Sequence, residues 1–288
     1  MPEPTSHTYF SQRLRLHYLD WGNPSAPPLL LLHGSRDHAH NWDWVARRLQ
    51  DRYHVFAPDF RGHGDSQWSL GSMYSPTELV YDVAQLVHQQ DLAPVRIVAH
   101  SLGGIVSLRY AGTYPEQVHR LVVVDGTGDI AQRSVGRPSM PQRMRTWIET
   151  ERDLAGRLPR RYASLEEAHD RLQQANPHLT AEQAGYLTVH GANQNEDGTY
   201  SWKFDNYVHA GHLLDLTPEE VDELWSDIEC PVLFLTGAES FHAPMIDEPA
   251  LEARFRDARH QFVPNAGHWL HHDQLDVFLD LVEGFLQE

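Results

Sequence analysis

Ala99-His100-Ser101-Leu102-Gly103-Gly104 sets one hydroxyl between small residues. Val95 to Ala99 reads as a strand and Leu102 to Tyr114 as a helix beginning immediately after it. A serine on such a turn is pushed into a strained, exposed position where it can act as a nucleophile. Backbones crowd there, and Ala99 and Gly103 meet the demand for small side chains. The helix behind aims its first amides and its positive dipole end at a developing oxyanion, so the Leu102 N–H is the natural first donor. His33-Gly34-Ser35 ends an earlier apolar run, and the Ser35 backbone N–H offers the second donor. A serine nucleophile also needs a base within hydrogen-bond reach. Asn265-Ala266-Gly267-His268-Trp269 follows the last strand-like segment and supplies His268. His271 and His272 are rivals, deeper in the approach to the terminal helix. The chemistry these residues suit is transfer of an acyl group through the serine.

The elements that must hold them alternate. Leu14 to Asp20 has the period of a half-buried strand, and Leu29 to Leu32 is a continuous apolar run, as in a strand buried on both faces. Asn41 to Gln50 reads as a helix with Trp42, Val45 and Leu49 on one side, and Tyr53 to Ala57 as a strand ended by Pro58. Ser75, Pro76 and Glu78 form a helix-start signal with a capping box, followed by the stripe Leu79, Val83, Leu86 and Val87. Leu121 to Val124 is a further buried strand. Strand, helix, strand, helix, strand predicts a parallel sheet with helices on both faces. From about Gly126 to Trp225 no buried strand stands out. Amphipathic stretches such as Arg143 to Arg157 and Leu165 to Gln174 predict a mostly helical insertion. The alternation resumes with Val232 to Thr236, a helix near Pro249 to Phe255, the strand His260 to Val263 and a terminal helix from Gln274 to Leu286.

The chain of 288 residues carries 23 basic and 40 acidic side chains, a net charge of -17, which makes phosphate backbones unfavourable partners. One cysteine, Cys230, excludes a disulfide framework and a thiolate metal cluster, and it reads as an inert buried thiol. The N-terminus has no basic segment followed by an apolar run, and no apolar run is long enough to cross a bilayer. A cytoplasmic protein acting on a small molecule, as monomer or homodimer, with no nucleic acid and no membrane as partner, is the reading. Histidine is abundant, with 20 residues. His38, His40, His271 and His272 lack neighbouring ligands at a metal-binding spacing and are read as solvated, so no metal and no cofactor is expected.

These motifs, with Asp59-Phe60-Arg61-Gly62-His63-Gly64-Asp65-Ser66 between them, resemble the α/β-hydrolase superfamily over nearly the whole chain outside the insertion. The resemblance implies an α/β fold, a doubly wound, mostly parallel sheet with a helical lid after strand six. Residues 1–125 and 226–288 would form the core and 126–225 the lid. The combination is similar to the branch holding epoxide hydrolases, haloalkane dehalogenases and lid-bearing esterases. The first two use an aspartate nucleophile, and Ser101 stands in its place here. Relatives usually carry the triad acid three residues after the glycine that follows strand seven; here Gly237 is followed by Ala238-Glu239-Ser240, with no aspartate. Some place it instead at the end of strand six, where this chain has Asp125. Asp125 is therefore the expected acid, Glu239 the alternative, and a dyad without an acid the third reading. Arg61, Asp65 and Asp59 read as loop braces. The activity implied is hydrolysis of a small carboxylic ester or lactone. Its rivals are carbon–carbon bond hydrolysis of a diketone-like compound and ligand binding without turnover.

Overall fold

The structure is a computed structural model that describes residues 3–71, 73–126, 138–210 and 213–288. Its centre is an eight-stranded sheet. In chain order the strands are β1 (Thr5–Ser11), β2 (Leu14–Asp20), β3 (Pro28–Leu32), β4 (His54–Pro58), β5 (Val95–His100), β6 (Val118–Val124), β9 (Val232–Gly237) and β10 (Ala258–Val263). A small separate hairpin, β7 (Ala192–Gln194) and β8 (Tyr200–Trp202), lies between β6 and β9 in sequence. Across the sheet the order is β1-β2-β4-β3-β5-β6-β9-β10. The pairs β1–β2 and β2–β4 are antiparallel and all others parallel.

Period-two alternation explains why the central strands read as unbroken apolar runs, since each face of the sheet buries every second residue. Leu30 and Leu32 of β3, Ile97 and Ala99 of β5 and Leu121 and Val123 of β6 face one way. They pack with α2 (Pro76–Gln89), α3 (Leu102–Thr113) and α7 (Pro218–Asp227) through Leu79, Val83, Val106, Tyr110, Val221 and Trp225. Leu29, Leu31, Val98, Val122 and Val124 face the other way. They meet α1 (Asp43–Leu49) and α10 (Leu275–Gln287) through Val45, Leu49, Phe278, Leu279 and Val282. From β3 the chain passes to β4 on one side and then to β5 on the other. The helices after β3 and β5 thus leave to opposite faces, which opens a crevice at the carboxyl ends of those two strands.

Helix starts follow the sequence. Ser75 caps α2 by accepting the Glu78 N–H at 3.5 Å, with Pro76 in the first turn. Between β6 and β9 lie α4 (Met140–Leu154), α5 (Leu165–Ala175) and α6 (Ala181–Gly191), the β7–β8 hairpin and α7. Residues 127–137 and 211–212 of this stretch, expected to be a mostly helical insertion, lie outside the described residues. The remaining helices are α8 (Glu248–Glu252) and α9 (Leu270–Asp273). β1 is an edge strand with no counterpart among the elements expected from the sequence. It buries only Tyr9 and Ser11, so it carries no apolar alternation to read.

Candidate active site

Ser101 sits between β5 and α3 with φ 50° and ψ -113°, a left-handed conformation that a non-glycine residue adopts only when its surroundings impose it. Those surroundings are visible. The Ser101 N–H donates to the Val124 carbonyl at 2.9 Å, and its own carbonyl accepts the Gly104 N–H at 2.9 Å. A Cβ on Gly103 would lie 2.6 Å from the Leu32 carbonyl oxygen, and one on Gly104 2.9 Å from the Gly126 Cα. Gly103 is thus glycine because β3 passes directly behind the turn.

His268 lies on the loop between β10 and α9. The Ser101 hydroxyl and His268 Nε2 are 3.1 Å apart. On its other side His268 Nδ1 hydrogen-bonds Asp125 Oδ2. A carboxylate only accepts, so Nδ1 carries the proton and Nε2 presents its lone pair to the hydroxyl. Asp125 ends β6 in the same kind of strained backbone, φ 48°, and its N–H donates to the Leu235 carbonyl at 2.7 Å. Its side chain is fully buried while that of His268 is about one-quarter exposed. The Ser240 hydroxyl donates to the same Asp125 oxygen at 2.5 Å. Ser240 occupies the position where the family resemblance leads one to look for an aspartate, and here its hydroxyl is a hydrogen-bond partner of Asp125. Glu239 does not approach His268. Its exposed carboxylate faces His178 at 3.6 Å.

The loop after β3 comes up against Ser101. A Cβ on Gly34 would lie 3.2 Å from the Ser101 Cβ and 2.8 Å from His100 Nδ1. Ser35 follows it in the cavity wall. Several buried groups hold this loop. His33 Nδ1–H donates to the Gly34 carbonyl at 2.6 Å, and its Nε2 accepts the Phe60 N–H at 3.0 Å. Burial lowers the His33 pKa to about 3, so it stays neutral and can do both. Asp59 Oδ1 accepts the Ala39 N–H at 2.7 Å and Oδ2 pairs with His17 at 2.6 Å. Burial alone would raise the Asp59 pKa; the His17 hydrogen bond and charge outweigh it and hold the carboxyl well below the usual carboxylate range. Arg61 is buried and bidentate to Asp82 at 2.6 and 2.7 Å, so it is a brace. Cys230 is a buried thiol whose pKa burial raises to about 12.

The histidines read as solvated are a correction. His271 is 0% exposed, and His272 and His38 are also buried. His271 and His272 both bond Asn41 Oδ1, at 2.5 and 3.0 Å, and the His271 ring stacks on Trp42 at 4.6 Å. Burial lowers the His272 pKa to about 3 and the His38 pKa to about 4, and pushes His271 well below its ordinary value. Their hydrogen-bond partners Asn41 and Leu187 are distant in sequence, so no local pattern announces the burial. His100 and His242 meet His268 across long sequence separations, and no short pattern signals either contact. His100 Nε2 bonds the His268 carbonyl at 2.9 Å, and the His242 ring stacks on that of His268 at 5.5 Å. Asp125, His242 and His268 place ligand-type atoms within 4.8 Å of one another. The hydrogen bonds of Asp125 and His268 already give the first and third of them a different use.

Ser101, His268 and Ser35 open onto one cavity of about 730 Å³. Residues of the β6–β9 segment complete its wall, among them Tyr162, Leu172, Leu187, Trp202 and Phe204. His38 Nε2 donates to the Leu187 carbonyl at 3.0 Å, which ties the loop after β3 to α6.

A family model described as alpha/beta hydrolase fold matches residues 27–275, and the chain belongs to that family. It is 28% identical over 279 residues to the sn-1-specific diacylglycerol lipase ABHD11 of Xenopus laevis, covering 92% of this chain and 81% of that one. It is 26% identical over 272 residues to the esterase Rv0045c of Mycobacterium tuberculosis, covering 93% and 85%. Among solved structures, the hypothetical protein PA1622 of Pseudomonas aeruginosa PAO1 superposes with a TM-score of 0.85 at 24% identity, over 98% of this chain and 99% of that one. The chain is a hydrolase related to lipases and esterases. No described helix is long and apolar enough to cross a membrane.

Proposed function

We propose that the protein is a serine hydrolase of small carboxylic esters or lactones, with Ser101 as nucleophile, His268 as base and Asp125 as the orienting acid. The observation that carries this is the continuous hydrogen-bonded path from Ser101 Oγ through His268 to Asp125, with Ser101 and His268 in the wall of the cavity. His268 Nε2 takes the hydroxyl proton as Ser101 Oγ attacks the carbonyl carbon. The Leu102 and Ser35 amides receive the oxyanion, each contributing on the order of 10²–10³ in rate. His268 returns the proton to the leaving alcohol, and water repeats the sequence on the acyl-enzyme. Asp125 keeps the imidazole in the productive tautomer and stabilises its charged form. The segment between β6 and β9 serves as a lid whose aromatic side chains exclude water and select substrate shape. No step requires a metal or a cofactor.

The test is hydrolysis of a short-chain chromogenic ester by the wild type beside Ser101→Ala. Turnover that disappears in the variant, with unchanged thermal stability, supports the reading. Turnover that survives would sink Ser101 as nucleophile. A protein that cleaves a diketone and no ester would transfer the same residues to carbon–carbon hydrolysis.

A further inference from the structure

The charge of the cavity is opposite in sense to that of the chain. Acidic residues outnumber basic ones 40 to 23 overall, yet the cavity wall holds Arg36, Arg160, Arg171 and Lys203 against Asp37, Glu239 and Asp273. Lys203 is the sole lysine of the sequence. The acids are also the weaker set. Asp37 is buried, and Glu239 already faces His178 at 3.6 Å. Asp273 Oδ2 accepts the Gly267 N–H at 2.8 Å.

Two of the cations are uncommitted. Lys203 pairs with Asp65 at 2.8 Å, and Arg160 approaches Glu167 at 3.9 Å. Arg36 and Arg171 have no carboxylate partner among the described residues, although they line the same cavity as Ser101 and His268. Arg36 directly follows Ser35 and is held at φ 60°, a left-handed conformation uncommon for a long side chain. Arg171 projects from α5, in the segment that completes the cavity wall. A guanidinium that faces a partly enclosed cavity without a counter-ion is suited to receive a planar anion through paired N–H donors.

We propose that Arg36 and Arg171 select substrates whose acyl or leaving group carries an anionic group, a carboxylate or a phosphate. This rests on the serine-hydrolase reading and narrows it to acidic esters. Arg36 and Arg171 are both exposed, and exposure weakens a charge-assisted hydrogen bond, so each contributes roughly three- to tenfold to the preference for the anionic substrate. Rising salt erodes that preference.

The test compares mono-4-nitrophenyl glutarate with neutral 4-nitrophenyl butyrate, which share a leaving group. The expected result is a higher kcat/KM for the glutarate ester. That ratio falls in Arg36→Gln and Arg171→Gln, falls further in the double variant, and is partly restored by Arg36→Lys. Glutarate and inorganic phosphate, compared as competitive inhibitors, distinguish the two anion types. Equal kcat/KM for both esters, or a preference untouched by the double variant, would overturn the inference while leaving the serine-hydrolase reading standing. If neither ester turns over, calorimetric titration with glutarate decides separately. Binding that the double variant loses supports the anion site, and absence of binding to the wild type refutes it.

Discussion

The sheet edge that carries Ser101 and the helical segment across the cavity from it are built to different standards. α3, behind Ser101, buries nine of its twelve residues, and β3, β5 and β6 are buried on both faces. α4 buries none of its fifteen, and α5 only Ala168. α6 lies between these extremes, burying Ala184, Leu187, Thr188 and Gly191. A region with few buried apolar contacts opens at lower free energy than a packed core. Ser101 joins two elements that are almost wholly buried, while α4 and α5 carry almost no buried residues.

The largest effect expected from this contrast is at the acid. Asp125→Asn should lower kcat by about 10³–10⁴, as loss of a triad aspartate does through the wrong imidazole tautomer. Glu239→Gln should stay within about threefold of wild type. Parallel kinetics on the two variants check this, and the opposite ranking would move the acid to the loop after β9.

Next come paired glycine substitutions. A Cβ on Gly237 would meet the Gly267 carbonyl oxygen at 2.1 Å, so Gly237→Ala must displace the His268 loop. It should cost about 1–3 kcal/mol or more and reduce activity. Gly185 in α6 has only the His169 ring at 3.9 Å, so Gly185→Ala should stabilise by about 0.5–1 kcal/mol through helix propensity. Denaturant melts of both variants read the signs, and equal signs would undo the contrast between the regions.

A smaller and more distributed effect is acid sensitivity. His33, His38, His100, His271 and His272 all have folded-state pKa values lowered by burial. Below about pH 6.5 the unfolded chain takes up protons that the folded chain refuses, so stability present above that pH is lost as pH falls. Asp37, raised to about 8 by burial, acts in the opposite sense, as do Asp82 and Asp273, also raised by burial; His119, His190 and His242, lowered by burial, add to the first five. The melting temperature should therefore drop steadily from pH 7 to pH 5, and His272→Gln should flatten the slope. A flat profile in the wild type would contradict the burial of these rings.

The parts legible in the sequence are those encoded locally. The elbow at Ser101, the central strands and the capped start of α2 each follow from short patterns. The position of Asp125 came from a strand end together with resemblance, because reach to His268 is a property of the sheet order. Ser240 could not be read as a partner of Asp125, since it lies 115 residues away and meets the acid only when β9 is placed beside β6. The buried histidines are hidden for a related reason. Histidine is polar in any one-dimensional pattern, and only Asn41, Trp42 and the rings gathered between the β3 and β10 loops make its burial tolerable.

The most direct test of the central claim is covalent trapping with a fluorophosphonate, which reacts with an activated serine, followed by mapping of the modified peptide. The account predicts a single adduct on Ser101, formed much more slowly in Asp125→Asn and at nearly the wild-type rate in Glu239→Gln. An adduct on another serine, or none in the folded wild-type protein, would contradict it.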